Sequence, residues 1–178
     1  MGAVGDAVLR IIAANLQAIF HLAVDLLPAR ATPEFAFSEL RRQYHAALIL
    51  NRLGSSRRKQ QRLLAVVNVD LFIPILTHVL GEAQMGGRAA VVSLHRLRER
   101  RDGGRVPLET FYDRAIKVAV HEVAHTFDLV HCKDRDCVMM LSTTPPDLDE
   151  LPMFFCRYCK AFLAESYRRY GVWTVEKP

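Results

Sequence analysis

A mixed α/β fold is predicted for this 178-residue chain, and three features predict it. Apolar runs of strand length stand at 63–69, 79–83 and 89–94, helical periodicity marks 6–20, 39–53 and 108–127, and Gly86 and Gly87 lie in the turn that joins the last two runs. Strands alternating with helices favour a small parallel sheet with helices packed on it, and the glycine turn adds an antiparallel edge strand. At 178 residues the chain fits one compact domain, residues 1–178. With 51% hydrophobic and 24% charged residues but only 9 Gly and 8 Pro, its composition excludes a collagen, a coiled-coil rod and a disordered tail.

The elements follow in order. From Asp6 to Phe20, Leu9, Ile12, Leu16 and Ile19 recur at helical spacing while Asp6, Arg10 and Gln17 turn away, which makes an amphipathic helix. Residues 21–27 form a short apolar run ending at Pro28 and read as strand-like. Pro33 and Ser38 mark a loop, a helix is expected over about 39–53, and Gly54 is its natural stop. The run at 63–69 reads as a largely buried strand, 79–83 and 89–94 as a hairpin, and 96–107 as a long charged loop. A sustained helix then runs from 108 to about 127.

No membrane partner is expected, because the most apolar region, 8–27, is interrupted by Arg10, Asn15, Gln17, His21 and Asp25. It lacks the features of a signal peptide, and Asp6 stands where a myristoylation signal needs Ser or Thr. The expectation is a cytoplasmic, unlipidated protein. A net charge of +5 is moderate. The cations bunch at Arg57, Arg58, Lys59 and Arg62, and again at Arg96, Arg98, Arg100, Arg101 and Arg105. These runs read as solvated loops, since no zinc-finger helix, stacking motif or helix-turn-helix accompanies them, and nucleic acid is not an expected partner. Nothing in the sequence sets an oligomeric state.

All four cysteines fall between Cys132 and Cys159, spaced C-x4-C (Cys132, Cys137) and C-x2-C (Cys156, Cys159). Such paired loops can bring four thiolates to one tetrahedral zinc. Two disulfides and a thioredoxin-type redox pair are the alternatives. The first disagrees with the expected compartment, and the second has too little chain after Cys159 for a βαβ unit. On the late helix stand His121, Glu122 and His125, an H-E-x-x-H pattern that places both imidazoles on one face, one turn apart, with the carboxyl beside them. His131 follows ten residues after His121. In a continuous helix it would lie about 15 Å along the axis and share no metal with His121. Two chain paths remain open: the helix ends in a sharp turn near Asp128 and His131 joins the metal, or it runs on and His131 leaves it. Asp tolerates the left-handed conformation of such a turn at roughly 1 kcal/mol.

The stretch from His121 to Cys159, HEVAHTFDLVHCKDRDCVMM through to FCRYC, resembles the archaemetzincin family of zinc metallopeptidases, members of the metzincin clan. Arg42-Gln43-Tyr44, Asp70-Leu71, Val92-Ser93-Leu94 and Arg96-Leu97 also resemble its upstream landmarks, so the likeness covers most of the chain. It departs from the pattern at Asp128, where the family motif has Gly, and in the short stretch before Asp6. The resemblance implies a peptidase acting on a peptide or protein substrate, with a zinc-bound water as nucleophile and Glu122 as general base. His121, His125 and His131 would be the catalytic zinc ligands. Met139 would form the Met-turn, with Met140 as neighbouring alternative, and Cys132, Cys137, Cys156 and Cys159 would hold a structural zinc, making two Zn2+ per chain. The domain would divide into an α/β part with the active-site helix, 1–127, and a zinc-stabilised C-terminal part, 128–178. The strand at 79–83 would be the edge that receives substrate, and the Arg-rich loop would border the cleft, favouring acidic peptides. The alternative is a lapsed or weakly active zinc-binding protein, on the ground of Asp128.

Overall fold

The computed structural model describes residues 4–55, 61–100 and 102–172; the expectations for Arg57, Arg58, Lys59 and Arg101 lie outside them. Two three-stranded mixed sheets carry the fold. In the larger, β3 (Leu63–Val67) pairs in parallel with β6 (Ala89–Ser93), and β5 (Gly81–Ala83) pairs antiparallel with β6 as the edge strand. The smaller joins β1 (Phe37–Ser38), β2 (Gln43–His45) and β4 (Leu71–Phe72).

Successive strand residues face opposite sides, and the larger sheet divides its apolar side chains accordingly. Val66 and Val92 pack into the main core with α1 (Asp6–Phe20) and α3 (Leu108–His125). Ala65, Val67 and Val91 pack with Ile49 and Leu50 of α2 (Ala46–Gly54) on the other side. The sheet is thus covered on both faces, which explains why its strands read as unbroken apolar runs. In α1 it is Val8, Ile12, Leu16 and Phe20 that are buried, a stripe at helical spacing. No described helix is long and apolar enough to cross a membrane.

Three expectations are corrected. Residues 21–27 form no strand: His21 takes the left-handed conformation (φ 54°) that ends α1, and Leu22 and Val24 pack onto the core without a ladder. The helix expected over 39–53 begins only at Ala46, because Arg42 is left-handed (φ 53°) and Gln43–His45 pairs with β1 and β4. The expected strand at 79–83 is regular only from Gly81, Val79 making a single bridge to Leu71.

The charged loop is built into the scaffold by its own arginines. Arg96 grips Asp70 through two bonds of 2.7 Å, Arg98 lies 4.1 Å over the Phe111 ring, and Arg100 pairs with Asp102 at 2.8 Å. From α3, the fully buried Arg114 donates to the Leu97 and Glu99 carbonyls and meets Asp149 at 2.8 and 2.7 Å. Asp149 ends α4 (Pro145–Asp149), a helix that opens with a capping box between Thr144 and Asp147. Lys117 donates to the Leu148 carbonyl at 2.9 Å. The loop and α4 are therefore pinned to the middle of α3. α5 (Arg157–Tyr170) closes the described fold.

Candidate metal centres

The end of α3 decides the geometry. Asp128 is left-handed (φ 66°), its N–H donates to the His125 carbonyl at 3.1 Å, and the Leu129 N–H donates to the Ala124 carbonyl at 3.3 Å. This pair of bonds is a Schellman motif with Asp in the position usually held by Gly. The helix stops, the chain reverses, and His131 returns to the face it has just left.

The three imidazoles consequently meet. Their ring centroids lie 4.6 Å (His121–His125), 5.1 Å (His121–His131) and 4.9 Å (His125–His131) apart, and one ring nitrogen from each lies within 4.8 Å of the others. His121 Nδ1 donates to the Val138 carbonyl at 2.9 Å and His125 Nδ1 to the Leu129 carbonyl at 2.6 Å. A carbonyl can only accept, so both Nδ1 atoms carry the proton and both Nε2 atoms keep a free lone pair. Burial lowers all three histidines, His121 to about 3, with the neighbouring imidazoles adding to the shift at His121 and His125. The rings are therefore neutral near pH 7, the form that ligates. His125 is buried, His121 half-buried and His131 exposed, so the group opens to solvent on one side.

Glu122 lies beside them, buried, its carboxyl raised well above the usual range by burial and then by Glu82. Its place depends on Gly81 of the edge strand, where a Cβ would stand 2.5 Å from Glu122 Cγ. Gly81 went unnoticed in the sequence because its contact is forty-one residues away.

The second cluster forms on the strand-like return. Sγ atoms of Cys132, Cys137, Cys156 and Cys159 lie within 4.8 Å of one another, all four as free thiols, so no disulfide is formed and the C-x2-C pair shares one cluster with Cys132 and Cys137. Cys132 and Cys156 are 3.8 Å apart, which matches the edge of a tetrahedron of zinc–sulfur bonds, about 3.8 Å. The Cys156 N–H donates to Cys137 Sγ at 3.3 Å, and the Asp134 N–H to Cys132 Sγ at 3.4 Å. Burial pushes the Cys137 and Cys159 thiols up; at Cys156 it does the same, but the N–H groups of Cys159 and Tyr158 outweigh it and leave that thiol low. Both donor sets suit zinc: imidazole nitrogens with an open side, and enclosed sulfurs.

One segment joins the clusters. The Val138 carbonyl holds His121, while the carbonyl of the fully buried Met139 accepts the Cys132 N–H at 2.8 Å. Met140 is only half-buried.

Residues 13–165 match peptidase family M54. The archaemetzincin of Methanopyrus kandleri is 37% identical over 139 residues, 78% of this chain and 76% of that protein. That of Methanocaldococcus jannaschii is 31% identical over 159 residues, 89% of this chain and 87% of that protein. The crystal structure of the Methanopyrus kandleri protein superposes with a TM-score of 0.83 at 30% identity, covering 95% of this chain and 92% of that one. The Archaeoglobus fulgidus archaemetzincin, complexed with malonate, gives 0.78 at 32% identity, covering 90% of this chain and 94% of that one. With the family match, the shared fold and two donor clusters suited to zinc, this chain belongs to the archaemetzincins of peptidase family M54 and is a zinc metallopeptidase.

Proposed function

We propose that the chain is one catalytic domain that hydrolyses peptide bonds at the three-histidine cluster, with His121, His125 and His131 holding the catalytic zinc. The observation that carries this reading is the convergence of three neutral imidazoles within 4.8 Å across the left-handed turn at Asp128. Zinc, when bound there, supplies a Lewis acid that polarises a peptide carbonyl and lowers the pKa of water and of the adjacent carboxyl. Glu122 then acts as general base, taking the proton from the attacking water and returning it to the leaving amine. Gly81 leaves Glu122 the room to do so. The free edge of β5, at Gly81–Ala83, offers backbone N–H and C=O groups to an extended peptide, which would add to the sheet as a further strand.

Cys132, Cys137, Cys156 and Cys159 hold a second, structural zinc in this reading, giving two ions per chain, and Met139 supplies the apolar packing of the Met-turn. A zinc-binding protein with lapsed turnover is the alternative that Asp128 raises. The retained turn favours the enzyme.

Metal content by native mass spectrometry, paired with hydrolysis of a peptide library, tests the assignment. Two zinc ions are expected, with one lost in His131→Ala. Glu122→Ala is expected to keep both while lowering kcat by about 10²–10⁴-fold. A single ion indifferent to His131→Ala, or full activity in Glu122→Ala, would sink it. A wild-type protein that binds two ions and cleaves nothing would instead favour the lapsed reading.

A further inference from the structure

The turn between His125 and His131 is gripped from outside the helix along its length. The Gly86 N–H, in the β5–β6 turn, donates to the His125 carbonyl at 3.0 Å. Arg62 donates to the Thr126 carbonyl at 3.3 Å and lies 3.7 Å over the Phe127 ring. The Ser166 hydroxyl donates to the Phe127 carbonyl. Finally, the Tyr170 hydroxyl donates to the Asp128 carboxylate at 2.5 Å, with Arg169 at 3.3 Å from the same oxygen. Ser166, Arg169 and Tyr170 belong to the last turns of α5, the helix whose first turn carries Cys159.

Resting on the reading that these histidines hold a metal, we propose that Asp128 is a positioning residue for the metal site, held by Tyr170 so that the end of α5 sets the site's metal affinity. Glycine would adopt this turn freely, whereas an L-residue must be kept there by its contacts. The contacts call for an oxygen acceptor at this position. A Cβ at Gly86 would fall 2.1 Å from Asp128 Oδ1, so the opposite turn is cleared to receive it, and Tyr170 reaches both Asp128 and the Gly86 carbonyl. The left-handed turn also places the Leu129 carbonyl that orients His125, and it returns the chain to His131. Loosening Asp128 therefore disturbs two imidazoles at once while leaving the sulfur cluster as it is.

The test uses the full chain with its sulfur site loaded. Zinc affinity of the histidine site is measured by competition with a chromophoric chelator, and its geometry by the visible spectrum of the cobalt(II) form. Tyr170→Phe is expected to weaken zinc binding about tenfold or more, to alter the cobalt spectrum, and to leave the sulfur-bound zinc in place. Asp128→Gly, which needs no latch, is expected to bind near the wild-type level, and in that background Tyr170→Phe is expected to have no further effect. Asp128→Asn, which keeps the acceptor and tolerates the turn, should rescue most of what Asp128→Ala loses. An unchanged affinity in Tyr170→Phe, or an equal loss in both backgrounds, overturns the proposal alone, provided His131→Ala loses the metal. If His131→Ala binds as tightly as wild type, the underlying metal assignment falls and the proposal with it. Because Tyr170 is at the surface, its variant decides the matter even where Asp128→Ala fails to fold.

Discussion

The two clusters sit on adjacent residues, His131 and Cys132, yet they are built in opposite ways. The sulfur cluster is closed: Cys137, Cys156 and Cys159 are buried among core side chains, and only Cys132 is half-buried. The imidazole cluster is graded from buried His125 to exposed His131, with one side open to solvent. Enclosed four-ligand sites stabilise a fold and open three-ligand sites leave room for chemistry. The difference teaches that an open imidazole cluster and a closed sulfur cluster can be built a single peptide bond apart, with the Val138–Met139 segment touching both.

The largest expected effect breaks the comparison if it is absent. Removing a closed ligand with Cys159→Ser should cost at least about 3 kcal/mol of stability, since binding energy at such a site is folding energy. Removing an open ligand with His131→Ala should cost less, because His131 is exposed and the loss is confined to the mass-action contribution of the one zinc that leaves. Urea denaturation of the zinc-loaded proteins checks this, and equal losses would remove the distinction. A smaller effect sharpens the open side. Gly81→Ala forces its new methyl against Glu122, and a loss of about 1–3 kcal/mol is expected from the overpacking. Both zinc ions should remain while kcat falls, and an unchanged kcat would mean that Glu122 has space to spare.

The smallest effect concerns pH in metal-free protein, where the clusters should weaken at opposite ends. Histidines lowered by burial bind fewer protons folded than unfolded, so stability falls as pH drops below their ordinary value of 6.5, down to about 3 for His121. Raised thiols stay protonated when folded, so Cys137 and Cys159 contribute stability that is lost as pH rises above their ordinary value of 9.0, with Cys156 opposing. A melting-temperature profile with both shoulders is expected. A profile flat on the acid side would show that the imidazoles are freely hydrated.

What was legible in the sequence was carried by short spacings. The α1 helix, the H-E-x-x-H pair, the Gly86–Gly87 turn and the cysteine pairs each declare themselves within a few residues and stand where expected, although the buried stripe of α1 is Val8, Ile12, Leu16 and Phe20, with Leu9 and Ile19 only partly buried. The region before α2 was not legible, because Gln43–His45 is a strand only by virtue of Leu71 and Phe72, far along the chain. Apolar Leu22 and Val24 pack without pairing, a choice periodicity does not reveal. The buried Arg114–Asp149 pair spans thirty-five residues and carried no local signal. α4 did carry one: Thr144, two prolines and Asp147 spell a capping box within four residues. At Asp128 the sequence left two chain paths open, and the choice between them lay in Gly86 and Tyr170.

The free margin of β5 has one more consequence. A bare strand edge invites any passing strand, a second copy of the same protein included, and so carries a risk of aggregation. Here the regular edge is only three residues long, Gly81–Ala83, with an acidic residue at its centre. Two such edges meeting antiparallel about that centre would set Glu82 against Glu82, like charges facing at close range. A peptide carrying a small or basic residue at that position would meet no such repulsion, so under the proposed reading the same three residues would welcome a guest and turn away a twin.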